Sequence, residues 1–280
     1  MSASRPLLLA LVLVLAPRLA TPQAVTPTLT PEQMEVFLAK AAIIKEKTTS
    51  SGVTRPIQAT LSDGVLTHDA QFQTVDQAKS VFTAGKASEV DFKDSYRFNI
   101  AGYRLAQMVG LQTVPMSIER RYKNKDAAVT WWIDDVMFEE GGRQKLQDKL
   151  GPDPERTQKQ IYIMRVWDEL IQNKDRNAGN IVWTKDWTMW LIDHTRAFRS
   201  GGSLLKPAEL LRVERTMFDK MKQLTEAEVS KTMKGILTAG EIRPLLKRRD
   251  AIVAHFEKLI AERGEVAVFF TLSPAPAPAR

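Results

Sequence analysis

The stretch Asn173-Lys-Asp-Arg-Asn-Ala-Gly-Asn180, followed by the run 181–192 and then by Asp193-His-Thr-Arg-Ala-Phe198, decides the reading of this chain. It spaces an Asp (Asp175), an Asn five residues on (Asn180) and a second Asp thirteen residues later (Asp193) around one predicted strand pair. The strands 181–184 and 187–192 alternate around the turn Lys185-Asp186, and the second Asp emerges where the hairpin ends. Three oxygen-bearing side chains on a rigid hairpin suit chemistry that consists mostly of positioning and charge neutralisation. Blander readings exist for the same letters. Asp and Asn are common turn formers, and an Asp that closes a hairpin is often a helix N-cap. A calcium loop fits poorly: Asn180 sits where such a loop needs its sharp-turn Gly, and Asp186 where it needs a bidentate Glu. Order, spacing and context favour a site, because a predicted helix over 157–172 runs directly into the loop.

The 280 residues, 44% of them apolar, are enough for one or two domains with a sizeable core. Residues 7–16 form an apolar run behind Arg5 that is short for a bilayer span and suits a secretory signal, with Ala24 as its expected last residue. An N-terminal membrane anchor is the alternative. Cleavage after residues 1–24 would leave an exported protein, periplasmic or extracellular, with no stable membrane span. It would also remove Arg5 and Arg18 and lower the net charge from +7 to +5. There is no Cys, so neither a lipid-acylation site nor a disulfide framework exists and stability rests on packing. The basic surplus suits anionic ligands such as nucleotides, while dispersed Lys and Arg do not argue for nucleic acid. The Pro/Ala-rich end reads as a disordered tail over 269–280.

Thr30-Pro31-Glu32 signals a helix start, and a helix over 31–40 passes into an extended run, 42–48. After Gly52, strands over 57–61 and 65–75 flank the turn Ser62-Asp63-Gly64. Residues 92–109 read as one helix closed by Gly110, and 114–122 with 127–136 as a second hairpin. From Glu139 onward the pattern is helical, with helices expected over 206–221, 225–237 and 241–263. The plan is a two-lobed α+β fold: a β-rich N-lobe over 31–137 with one long helix, then a helical C-lobe over 138–268, divided near 136–142.

The loop 173–180 with Asp193-His-Thr-Arg-Ala-Phe198 resembles the catalytic core of the atypical kinases. These include the secretory-pathway Golgi casein kinase family, the HipA toxin kinases and the phosphatidylinositol 3- and 4-kinase group. Ile100-Ala-Gly-Tyr-Arg-Leu105 and Val109-Gly-Leu-Gln-Thr-Val-Pro115 similarly resemble the helix before the fourth strand of the secretory kinases. The resemblance covers roughly residues 52–198. It implies a protein-kinase-like fold that binds ATP with Mg or Mn and transfers phosphate to a hydroxyl-bearing acceptor, whether protein, sugar or lipid. Asp175 would orient the acceptor or take its proton, Asp193 and Asn180 would hold the metal, and Arg176 would brace the loop.

Two positions depart from the pattern. Those kinases place a Lys on the third strand and pair it with a Glu on the next helix; here the positions hold Gln73 and Asn99. A Gln–Asn pair keeps a hydrogen bond but loses the phosphate-neutralising cation. Either another cation takes over, with Lys45, Lys79 and Lys86 as candidates, or the protein is a pseudokinase that binds ligands or partners without turnover. One of Trp131 and Trp132 should face the cleft, with Trp132 the candidate adenine contact beside its simpler role in packing. His68 and His255 have no evident ligand partners, and three His in the whole chain argue against zinc at His194. Asp134-Asp135 falls where a hinge should be, and Lys247-Arg248-Arg249 reads as a solvated helix face.

Overall fold

The computed structural model describes residues 29–48, 56–84 and 87–273, with the side chains of 84 and 87–90 excepted. The expected signal segment, Gly52, Lys86 and the end of the tail beyond Ser273 lie outside the described residues. Helix α1 (Pro31–Lys40) starts with a capping box: Thr30 Oγ1 accepts from Gln33 N at 3.3 Å, while Gln33 Oε1 accepts from Thr30 N at 2.8 Å. The strands that follow are β1 (Ala42–Thr48), β2 (Ile57–Ser62) and β3 (Thr67–Gln73). Next come a separate hairpin, β4 (Asp76–Ala84) and β5 (Ala87–Ser95), then α2 (Arg97–Val109), β6 (Ser117–Tyr122) and β7 (Lys125–Trp131). Five of these strands form an antiparallel sheet in the order β1-β2-β3-β7-β6.

Strand alternation divides the sheet into two chemically distinct faces. Ala59, Leu61, Ala70, Phe72, Ala127 and Val129 pack with Phe37 and Leu38 of α1. The other face carries Gln58, Thr60, Asp69, Gln71, Gln73 and Thr130, with Asp69 accepting hydrogen bonds from Gln58 Nε2 and Thr60 Oγ1, both at 2.7 Å. This polar face is the roof of the inter-lobe cleft.

The C-terminal lobe contains β8 (Val136–Glu139), α3 (Glu140–Arg143), α4 (Pro154–Ile171), β9 (Ile181–Thr184), β10 (Met189–Leu191), β11 (Val213–Glu214), α5 (Arg215–Gln223), α6 (Glu226–Thr232), α7 (Ala239–Arg263), α8 (Glu265–Val268) and β12 (Phe269–Phe270). Its core joins Trp167, Leu170 and Ile171 of α4 to Phe198, Met217, Met221, Ile252 and Phe256. Helix α2 bridges the lobes. Phe98, Ala101, Leu105 and Val109 enter the C-terminal core, while Tyr103 touches the sheet core. At the hinge, Asp134 Oδ2 meets His68 Nε2 at 2.8 Å and Asp135 Oδ1 accepts from Lys185 Nζ at 2.7 Å. Among the described residues no helix is long and apolar enough to cross a membrane.

Several sequence expectations need correction. The helix expected over 92–109 begins only at Arg97; before it, Phe92–Ser95 end strand β5, which pairs with β4. The ring stack of Phe82 on Phe92 at 4.3 Å holds that hairpin. Residues 127–136 divide between β7 and β8, and the helix expected over 206–221 starts at Arg215. Phe269 and Phe270, assigned to the tail, are buried and pair in parallel with β11, packing on Phe218 and Tyr162. Arg248 is not on a solvated face. It is fully buried, donating Nε to Leu170 O at 2.9 Å and Nη1 to Arg199 O at 3.0 Å.

Candidate active site

Helix α4 ends in a left-handed Gln172 (φ 49°), which turns the chain into the loop 173–180. The turn-forming bonds of that loop come from its asparagines. Asn173 Oδ1 accepts from Asp175 N at 3.0 Å, Asn177 Oδ1 from Gly179 N at 2.9 Å, and Asn180 Nδ2 donates to Asp175 O at 2.8 Å. The Asp175 carboxylate is therefore not consumed by the turn. It faces Arg196, with Nη1 3.7 Å from Oδ2.

Arg176 braces this loop from beneath. Its Nε and Nη2 donate to Asp168 at 3.1 and 3.0 Å, and its Nη1 donates to Asn180 O and Ile192 O, both at 2.8 Å. One planar guanidinium thus ties α4 to both ends of the β9–β10 hairpin. Ile192 N also donates to Asn180 O at 3.1 Å, which fixes Asn180 beside the residue before Asp193.

Asp193 holds a left-handed backbone (φ 50°), a conformation that non-glycine residues adopt sparingly and that Asp tolerates better than most. Its Oδ1 accepts from Thr195 Oγ1 at 3.0 Å and from Gln73 Nε2 at 3.4 Å. Gln73 Oε1 in turn accepts from Asn99 Nδ2, and Asn99 Oδ1 accepts from His194 N at 2.7 Å. The direction of this chain is fixed at both ends, by a backbone N–H that only donates and a carboxylate that only accepts. Gln73 and Asn99, both buried, therefore join β3 and α2 to the Asp193 turn without any charge.

His194 is the buried pivot of that turn. Its Nε2 accepts from Trp167 Nε1 at 3.1 Å and lies 3.2 Å from Arg176 Nη2. Burial, with the Arg176 charge beside it, holds the imidazole well below its usual range and keeps it neutral. Gly102 lets α2 come this close, since a Cβ there would lie 3.2 Å from His194 Cγ.

Two residues at the site escaped the sequence reading. Arg196 stacks over Phe92 with its Cζ 5.1 Å from the ring centroid, and carried no signal beyond its place three residues after Asp193. Asp94 was hidden because its strand was read as helix. Burial raises its carboxyl above the usual range against a hydrogen bond from Thr195, and the negative charges of Asp193 and Asp175 add to the rise. Trp131 packs away from the cleft, stacked on His68 at 3.9 Å, and the half-buried Trp132 follows the end of β7 with its N–H bonded to Asp69 O at 3.2 Å. No hydrogen bond or ring contact draws Trp132 to the Gln73–Asn99–Asp193 group among the described residues. Lys45 is exposed on β1 opposite Thr60, and Lys79 sits on β4 over the Phe82 ring at 4.9 Å.

The bonds above use Asp193 Oδ1 and Asn180 Nδ2, leaving Asp193 Oδ2 and Asn180 Oδ1 as hard oxygen donors. That set fits Mg or Mn carried in with phosphate oxygens, which needs only one or two protein ligands. Among the described residues no group of three or more His, Asp or Glu gathers into a protein-only cage. A cavity of about 380 Å³ against α4 includes Asp168 and Arg176 in its lining but none of Asp175, Asn180 and Asp193, and so lies apart from this chemistry.

No protein-family model and no curated protein matches the chain. Solved structures do. Hydra Fam20 with sugar superposes with a TM-score of 0.65 over 86% of this chain and 92% of that one, at 13% identity. The Golgi casein kinase with Mn/ADP bound gives a TM-score of 0.62 over 88% and 80%, also at 13% identity. Sequence identity this low carries the fold and not the chemistry. The chain has the two-lobed, atypical protein-kinase-like fold of hydra Fam20 and the Golgi casein kinase.

Proposed function

We propose that the protein is an exported phosphotransferase that binds ATP with Mg or Mn in the inter-lobe cleft and phosphorylates a hydroxyl-bearing acceptor. The observation that carries this reading is the convergence on one turn, Asp193 to Arg196, of the Gln73–Asn99 pair, the Asp175 carboxylate and the braced Asn180 loop. Asp175 takes the acceptor's proton, while Asn180 and Asp193 would hold the metal. When bound, the metal would supply neutralisation of phosphate charge there. Gln73 and Asn99 keep the roof in register with Asp193, and Trp132 flanks the adenine. The Golgi casein kinase structure with Mn/ADP bound and the hydra Fam20 structure with sugar support a cleft of this fold that takes nucleotide, metal and a hydroxyl-bearing ligand. Export rests on the apolar run 7–16 behind Arg5, and N-terminal sequencing of the secreted product tests it by reading whether Val25 comes first.

A second reading, a pseudokinase that binds without turnover, is favoured by the neutrality of the Gln73–Asn99 pair. Thermal unfolding with ATP and Mn decides whether the cleft binds at all. Ligand at ~100 times its dissociation constant should stabilise the wild type by about 2.7 kcal/mol. Asp193→Ala should abolish the shift. An unshifted wild type ends the nucleotide reading, whereas a shift without any phosphate release or transfer selects the pseudokinase.

A further inference from the structure

A phosphoryl-transfer site that lacks its strand lysine must find positive charge elsewhere. In the transfer the acceptor oxygen forms a bond to the γ-phosphorus as the bond to the β–γ bridging oxygen breaks. The acceptor proton passes to Asp175, and a nucleoside diphosphate leaves. Charge develops on the phosphoryl oxygens and the bridging oxygen, where a preorganised donor acts most strongly.

The basic side chains near the site are placed very differently. Arg176 is committed to Asp168, Asn180 O and Ile192 O, and its side chain is only 7% exposed. Lys79 lies on the β4–β5 hairpin against Phe82, and Lys45 on the outermost strand of the roof. Arg196, itself partnered by Asp175 and Phe92, stands at the reacting end. Its Nη1 is 3.7 Å from Asp175 Oδ2, and its side chain is 28% exposed. If Asp175 holds the acceptor hydroxyl, the phosphorus lies within about 3–3.5 Å of that oxygen, one side-chain adjustment from the guanidinium.

The turn that carries Arg196 is rigid. Ser95 N donates to Thr195 O at 2.9 Å, Ala197 N to His194 O at 2.9 Å, and Phe198 N to Ile171 O at 2.6 Å. Phe92 closes one face of the guanidinium, so the charge works in a water-poor setting where electrostatics are stronger. A guanidinium has five N–H donors in a fork that matches phosphate oxygens, and so bridges a carboxylate and a phosphoryl group together.

We propose that Arg196 supplies, from the turn after the metal-binding Asp193, the phosphoryl-facing cation that β3 lacks. The inference rests on the phosphotransfer reading. The experiment is calorimetric binding of Mn·ADP, with and without aluminium fluoride as a mimic of the phosphoryl group in flight, to the wild type, Arg196→Met and Arg196→Lys. Fluoride should tighten Mn·ADP binding to the wild type by at least about 100-fold. Arg196→Met should bind Mn·ADP as the wild type does, lose most of that gain and lower kcat roughly 10²–10³-fold with little change in KM for ATP. Arg196→Lys should fall between them, and carries the comparison should the Met variant fold poorly. An undiminished fluoride gain in Arg196→Met overturns the inference. So does a wild type that binds Mn·ADP and shows no gain. A wild type that binds no Mn·ADP, or whose binding ignores Asp193→Asn, instead overturns the phosphotransfer reading beneath it.

Discussion

The neutral relay through Gln73 and Asn99 makes a quantitative prediction. Both side chains are nearly inaccessible, at 3% and 5% exposure, so a group left unpaired there has no water to turn to. Asn99→Ala strips the acceptor from His194 N and the donor from Gln73 Oε1. Each of these two orphaned buried groups costs about 1–3 kcal/mol, which sets the single change at about 2–6 kcal/mol. Gln73→Ala orphans Asn99 Nδ2 and should cost about 1–3 kcal/mol. In the double variant neither Gln73 Oε1 nor Asn99 Nδ2 survives to be left unpaired, so the combined loss should fall short of the sum by those two groups, at least about 2 kcal/mol. Urea unfolding at constant m-value reads the cycle. Orientation gives an independent check. An Asp at 99 still accepts from His194 N, but its second oxygen forces the Gln73 amide to turn over and aim Oε1 at Asp193. Asn99→Asp should therefore be destabilising and be largely rescued by Asp193→Asn. Additivity within about 0.5 kcal/mol in the alanine cycle, or no rescue by Asp193→Asn, refutes the relay.

Four further outcomes follow from the same geometry. The His194 imidazole is depressed in the folded protein, so its contribution to stability is complete above the unfolded value near pH 6.5 and declines as pH falls below it, by up to about 1.4 kcal/mol per pH unit. His194→Gln should show a flatter stability profile than the wild type below pH 6.5; equal slopes reject the assignment. Arg248→Met leaves the carbonyls of Leu170, Arg199 and Gly201 without their buried donor, whose own pKa burial has pulled down to about 10, and should cost about 3–5 kcal/mol in urea unfolding. Arg176→Met strands Asp168 and should cost about 3–5 kcal/mol, with part recovered by adding Asp168→Asn; a loss below about 1 kcal/mol contradicts the bracing role. Finally, Asp94, Asp175 and Asp193 stand against Arg196 around the cleft, so ADP binding measured in EDTA should be undetectable beside binding with Mn.

The helical lobe was legible because its signals are local. Asn173, Asn177 and the Arg176 fork act within a few residues of Asp175, and the β9–β10 alternation places Asp193 at a strand end whatever lies around it. The N-terminal roof was legible through strand period two and the Asp63-Gly64 turn. What escaped were features that exist only across the chain. Strand β4 is made a strand by its partner and not by a pattern of its own, and the helical pattern over 92–109 hides that Phe92 and Asp94 lie on β5. Arg248 looks solvated in a run of three basic residues, yet its guanidinium is claimed by carbonyls 78 and 49 residues away. Gln73 and Asn99 could be paired by resemblance, but their closure onto His194 N and Asp193 needed the backbone of a third segment.

The β4–β5 hairpin changes what the segment after Asp193 has to do. Ser95 N bonds Thr195 O at 2.9 Å, Asp91 accepts from Ser200 Oγ, Lys93 Nζ meets Glu241 at 2.9 Å, and Arg199 Nη1 reaches Lys93 O at 3.4 Å. From the other side Arg248 donates to Arg199 O at 3.0 Å. Residues 195–200 are thus gripped between a strand of the first lobe and a helix of the second. Among the described residues the contacts that join the lobes include the hinge through Asp134 and Asp135, α2 through its two-sided packing, and this strap. Opening the cleft by rigid rotation about the hinge alone would break the strap bonds and lift Asn99 off His194 N. The Asp193–Arg196 turn is therefore held from both lobes at once. The uncharged Gln73–Asn99 pair suits that arrangement, because a contact made once during folding and then kept buried is less costly to desolvate as two amides than as two ions.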